Sequence, residues 1–123
     1  MSKVSFMVMQ AGSRDLADCA TVLLHALTAN AMDAQVEMYF IGPSVRLLRD
    51  QHAESVVVSE SGKTLGMMLD DAHDNGIKIF VCTSAWKAHV PSDSSLAKQC
   101  SGFAGAATYL GRALDPSWRV LTY

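Results

Sequence analysis

Cys82 is the residue of this chain best placed to do chemistry. It closes the apolar run Ile77-Lys78-Ile79-Phe80-Val81-Cys82 and is followed at once by Thr83-Ser84-Ala85-Trp86-Lys87-Ala88-His89. A buried strand that ends on a thiol and turns into a helix start puts sulfur where backbone N–H groups point outward and the helix dipole favours an anion. Free cysteine titrates near ~8.5, and a helix N-terminus with Lys or His nearby lowers that value by one to several units. The expected chemistry is attack by sulfur, or handling of sulfur, at Cys82. Thr83 and Ser84 are expected to cap the helix. Lys87 and His89 would favour a thiolate by charge, and His89 could shuttle a proton near neutral pH. The alternatives are a buried thiol acting as a small hydrophobe and two ordinary surface side chains.

The other chemistry-bearing residues form weaker patterns. Cys19 lies beside Leu16 and Leu23 and is expected to pack in the core. Cys100 could fold back on Cys82 as a resolving thiol only if the two Cα atoms come within ~7 Å, and the unpaired state is preferred. His25, His52, His73 and His89 are spread out with no Cys-x-x-Cys or His-x-x-x-His spacing, so neither a metal nor any other cofactor is expected. Seven methionines invite a copper site, but Met67 and Met68 on a helix and Met7, Met9 and Met38 in strands are read as core filling. Ser61-Gly62-Lys63-Thr64 imitates the end of a phosphate loop, but Val57 stands where the first glycine belongs. Gln10, Gly12 and Ser13, after the first strand, and Gly42, after the second, make a possible site loop that could cradle an anion.

The elements that must position these residues alternate. Lys3 to Met9 reads as a strand, and a helix follows with Ser13 or Asp15 as cap and Leu16, Ala20, Leu23, Leu27 and Ala31 as its apolar stripe. Gln35 to Ile41 is a second strand with Val36, Met38 and Phe40 on one side. Pro43 to Arg49 suits a short helix. Ala53 to Gly62 fits either an edge strand or an ordered loop. Lys63 to Asn75 is a helix with Leu65, Met68, Leu69 and Ala72 inward, and Asn75-Gly76 stops it. After the strand that ends at Cys82 come a short helix, a polar turn over Val90–Ser95, and a helix from about Gly102 to Leu114 with Phe103, Ala107, Leu110 and Leu114 inward. Trp118 to Thr122 is the last strand. This alternation predicts one α/β domain over residues 1–123: a three-layer α/β/α sandwich around a mainly parallel sheet of four to five strands. In such sheets the site lies outside the carboxyl ends of the strands, where Cys82 sits.

Composition narrows the function classes. The chain has 123 residues, half of them apolar, and a net charge of −2. Lys and Arg are scattered rather than banded, so no nucleic acid partner is expected. No uncharged stretch approaches the ~20 residues of a membrane span, so no membrane partner is expected either. Gln10, Arg14 and Asp15 interrupt the opening segment before it could resemble a secretory leader. Three widely spaced cysteines argue against a disulfide framework and for a reducing, cytoplasmic setting.

The segment Gly76 to His89 resembles the DsrE/DsrF/TusD group of small sulfur-relay proteins, with a Gly-led strand, a Cys, small residues and a short basic helix. The likeness extends through the opening strand and helix, the strand Val36 to Gly42, the helix up to Asn75-Gly76 and the ending Gly102 to Tyr123. It implies that Cys82 accepts sulfane sulfur as a persulfide from a donor protein and passes it to an acceptor protein, within a homo-oligomer or hetero-oligomer. Several sulfur-carrying members place Arg-Gly after the short helix, where this chain has Lys87 and then Ala88-His89. The first expectation is therefore a sulfur carrier, possible as a persulfide sulfurtransferase, with Trp86, Phe103 and Tyr109 as candidate oligomer contacts. A second is a non-enzymatic oligomeric module that binds a small ligand or serves assembly. A third is a thiol peroxidase-like protein, which would require a Cys82–Cys100 disulfide.

Overall fold

The computed structural model describes residues 1–123. Two strands form its centre, β1 (Lys3–Val8) and β2 (Gln35–Phe40). They pair in parallel with Val4 opposite Val36, Phe6 opposite Met38 and Val8 opposite Phe40. β3 (Lys78–Cys82) joins β2, β4 (Gly102–Ala104) joins β3, and β5 (Arg119–Thr122) joins β1. The order is β4-β3-β2-β1-β5, and every pairing is parallel. Parallel neighbours need crossovers. These are α1 (Cys19–Ala31), α2 (Leu65–Asp74), α3 (Thr83–His89) and α4 (Ala106–Leu114), in chain order between successive strands.

The pleat sorts side chains onto two unlike faces. Val4, Phe6, Val8, Val36, Met38, Phe40, Ile79 and Val81 enter one core with Val22, Leu23 and Ala26 of α1 and Leu65, Met68, Leu69 and Ala72 of α2. Each large side chain buried there contributes roughly 1.5–3 kcal/mol. Thr64 caps α2 by accepting from the Met67 amide at 3.2 Å, and Gly76 at φ +80° lets the chain leave that helix for β3. Alternation puts Ser5, Met7, Glu37, Tyr39 and Phe80 on the opposite face. There α4 lies over the sheet, with the Tyr109 ring 6.2 Å from that of Tyr39 and the Arg112 guanidinium forked onto Glu37 at 2.8 and 2.9 Å. The α/β architecture with a parallel sheet and helices on both faces is the one expected from the alternation of elements.

Several elements differ from the sequence reading. The last helix does not begin at Gly102: residues 102–104 form β4, drawn beside β3 by the Ser101 amide, which donates to Ile79 O at 2.6 Å, and by the Ile79 amide, which donates to Ser101 Oγ at 3.1 Å. The inward face of α4 is also reversed. Tyr109 and Arg112 turn to the sheet, whereas Phe103 and Leu110 are 49% exposed and Leu114 is 84% exposed. A carboxylate buried under this helix needs a cation, and satisfying Glu37 with Arg112 fixes which side faces in. α1 begins at Cys19, after a 3-10 turn over Leu16–Asp18 in which the Asp15 carboxylate accepts from the Ala17 amide. Its buried stripe is Cys19, Val22, Leu23 and Ala26, and Ala31 is exposed. The Pro43 segment is a 3-10 helix over Gly42–Leu48. Residues 53–62 contain a 3-10 turn, Ala53–Ser55, and then an irregular segment held by a bridge between Val57 and Thr64.

Candidate functional site

The carboxyl edge of the sheet brings four chain segments together. Cys82 ends β3 in extended geometry (φ −65°, ψ 124°) and is itself the N-cap residue of α3. Thr83 and Ser84 therefore lie inside the first turn and do not cap it, contrary to expectation: the strand runs into the helix with no intervening residue, so the cysteine takes the cap position. The Cys82 thiol is 8% exposed, and its Sγ lies 3.3 Å from Ser84 Oγ. That hydroxyl can donate to a sulfur anion. The first-turn amides of any helix lack intrahelical partners, and here they follow directly on Cys82. Ala104 of β4 pairs with Cys82 on the outer side.

Lys87 and His89 do not stand at the sulfur's end of the helix. Both lie exposed in the last turn of α3, five and seven residues along, or about 7.5 and 10.5 Å of helix rise from Cys82. There they complement the carbonyl end of the helix. Trp86, half-buried on the same helix, makes an edge contact with Phe103, with ring centroids 5.7 Å apart.

The loop residues assemble with one another more than with the sulfur. Ser44 Oγ donates to Val8 O at 2.7 Å, and Arg46 donates to Gly12 O at 2.9 Å and to Pro43 O at 3.0 Å, which staples the Gln10–Ser13 loop to the turn at Gly42. Gly12 (φ +83°) and Gly42 (φ +61°) adopt the left-handed geometry that these turns require. The Gln10 amide already donates to Tyr123 O, and the Ser13 amide to Gln10 O. Asp15 accepts from the Ala17 amide at the start of the next turn. By strand order, Gly42 is one strand from Cys82 and Gln10 is two, or about 10 Å away.

The three cysteines are all free and occupy contrasting settings. Cys19 is fully buried, and desolvation pushes its thiol up to about 12. Burial pushes Cys100 up to about 12 as well. In register, Gly102 stands opposite Phe80 and Ala104 opposite Cys82, so Cys100 lies three to four strand residues below Cys82. At ~3.3 Å per residue that is about 10–13 Å, beyond disulfide reach. The peroxidase-like reading loses its resolving thiol.

The polar cluster that sequence reasoning missed lies under α4. Burial alone would raise the Glu37 carboxyl, but the Arg112 fork and the Tyr39 hydroxyl, which donates at 2.6 Å, outweigh it and hold the group below its usual range. Arg112 also stacks 4.3 Å from the Trp118 ring. A signal was available: in Gln-Val-Glu-Met-Tyr-Phe the polar Glu37 and Tyr39 alternate with core residues, so a cation had to come from elsewhere. No helix of the protein is long and apolar enough to cross a membrane.

Comparison with known proteins agrees with this architecture. The ychN protein from E. coli superposes with a TM-score of 0.74 at 16% identity, covering 100% of both chains. A protein of unknown function, MTH1491 from Methanobacterium thermoautotrophicum, superposes with a TM-score of 0.63 at 16% identity, again over 100% of both chains. These likenesses concern the fold. No curated protein matches the chain. The model of the DsrE/DsrF-like family matches residues 3–123, nearly the whole sequence, and the chain belongs to that family.

Proposed function

We propose that this protein carries sulfane sulfur as a persulfide on Cys82 and passes it to a partner protein. The observation that carries the reading is the contrast among the thiols. Cys82 alone sits at the carboxyl edge, against first-turn amides and the Ser84 hydroxyl, whereas burial keeps Cys19 and Cys100 protonated. Family membership supports a role in sulfur relay. In the loading step the Cys82 thiolate attacks the outer sulfur of a donor persulfide. A new S–S bond forms at Cys82, the donor's S–S bond breaks, and the donor leaves as a thiolate. In the unloading step an acceptor thiolate attacks the same outer sulfur and Cys82 departs as the thiolate. No net oxidation occurs, and no cofactor enters either step. First-turn amides and Ser84 Oγ would hold the negative charge. Lys87 and His89 would act at the rim, on an approaching partner rather than on the sulfur.

The alternative, an oligomeric binding or assembly module, draws on α4, whose apolar Ala107, Leu110 and Leu114 face outward. The two readings are compatible in one respect: a homo-oligomer or hetero-oligomer would shelter a persulfide that water and oxidants otherwise destroy. Mass spectrometry after incubation with a persulfide donor separates them. A carrier gains one sulfur, about 32 Da, on the Cys82 peptide and transfers it to an acceptor thiol. An unmodified protein, or an adduct that persists in Cys82→Ser, removes the carrier reading.

A further inference from the structure

β5 is the outermost strand on its side of the sheet, and its backbone shows which groups are free. The Tyr123 amide donates to Met7 O at 2.9 Å, and Tyr123 O accepts from the Met9 amide at 2.9 Å. Backbone groups alternate sides along a strand, so Leu121 and Arg119 also address β1, while the N–H and C=O of Val120 and Thr122 point away from the sheet. Beside this row runs a groove of about 520 Å³ that includes Ser2, Lys3, Ser117, Trp118 and Arg119. Its lining carries two cations and no carboxylate. The nearby Asp115 is already engaged by the Ser117 amide at 2.9 Å and the Ser117 hydroxyl at 2.7 Å.

We propose that the free edge of β5 receives an extended acidic segment of a partner protein as a sixth strand. Val120 and Thr122 supply the backbone hydrogen bonds, and Lys3 and Arg119 supply the charge. Strand addition of this kind draws affinity from main-chain pairing and specificity from the flanking side chains. Charge selects the occupant. Two copies of this chain pairing β5 to β5 would put the Lys3 and Arg119 of both copies into one interface with no carboxylate of the groove to neutralise them. An acidic segment neutralises them. This surface lies at the opposite edge strand from β4, which flanks Cys82, and does not depend on the thiol.

The test is titration of an end-blocked peptide, Glu-Val-Glu-Val-Glu-Val, into the isotopically labelled protein. Saturable shifts should centre on the Val120 and Thr122 amides, and their hydrogen exchange should slow on binding. Affinity should fall about tenfold when salt rises from about 50 to about 500 mM, and by at least as much in the Lys3→Glu/Arg119→Glu protein. Val120→Pro removes one outward N–H while leaving the β1 pairing intact, and should weaken binding without loss of the fold. The proposal is overturned if the peptide does not bind, if Lys-Val-Lys-Val-Lys-Val binds equally well, or if the shifts lie elsewhere. It is equally overturned if the charge-reversed protein binds unchanged, or if self-association already protects Val120 and Thr122 in the free protein.

Discussion

Alkylation of the native protein with iodoacetamide at pH 7.5 should label Cys82 well before either other cysteine, and the handicap of Cys19 and Cys100 can be worked against a cysteine of reference acidity. At pH 7.5 a cysteine of reference acidity, ~8.5, is about one-tenth thiolate, whereas a thiol held at about 12 is ~3 × 10⁻⁵ thiolate, a deficit of roughly 3,000-fold. The stronger nucleophilicity of the more basic thiolate returns part of this. With a Brønsted slope of about 0.4–0.5 over ~3.5 pH units the gain is about 25- to 55-fold, leaving Cys19 and Cys100 some 50- to 120-fold slower than the reference thiol. Steric burial of Cys19 slows it further. Mass spectrometry of peptides quenched over a time course reads the three rates separately, and the fast site should vanish in Cys82→Ser. Labelling of Cys19 or Cys100 at a rate within a few fold of Cys82 in the folded protein would refute the reasoning. So would a Cys82 slower than both.

Breaking the Glu37–Arg112 fork tests what holds α4 down. Arg112→Met leaves a buried carboxylate uncompensated, and because the Arg112 side chain is 35% exposed the cost should be about 2 kcal/mol, below the ~3–5 typical of fully buried pairs. Chemical denaturation should also show most of that loss recovered in Glu37→Leu/Arg112→Met, a recovery that a purely packing role for Arg112 would not produce. Gly12→Ala combines φ +83° with a Cβ only 2.9 Å from Cys19 Sγ, so thermal melting should report a loss of about 1–3 kcal/mol. At alkaline pH the raised groups are Cys19 and Cys100, held up by burial, and Tyr39, held up by burial and its bond to Glu37, all at about 12. The folded state keeps protons that the unfolded chain releases. This stability is complete below pH ~8.5 and declines toward pH 12 by up to ~1.4 kcal/mol per pH unit per group. Glu37 runs the other way: its contribution is present above pH ~4.3 and is lost as acid carries the protein through the lowered folded value, which denaturation curves at pH 3 and pH 6 should show.

Local pattern by itself determined much of this protein. Leu65, Met68, Leu69 and Ala72 recur at helical spacing, and all four are buried in α2. Val36, Met38 and Phe40 alternate with a period of two and share the core face of β2. The run from Ile77 to Cys82 followed by Thr83-Ser84 was enough to set the thiol at the carboxyl edge of a parallel sheet, because βα units place strand ends there whatever their detailed packing. Other features depended on partners far along the chain. β4 is three residues long and begins with a glycine, too short for any period, and is held by its pairing with β3 and by the hydrogen bonds that Ser101 and Ile79 exchange across 22 residues. The inward face of α4 was decided by Glu37, 75 residues away in sequence, whose buried charge outweighed the helix's own apolar stripe. The gap between Cys100 and Cys82 likewise follows from the register of β3 with β4. Hydrophobic periodicity is a property of neighbours within a turn or a pleat, whereas the pairing of a buried charge and the register of a strand are settled only when distant segments compete for the same site.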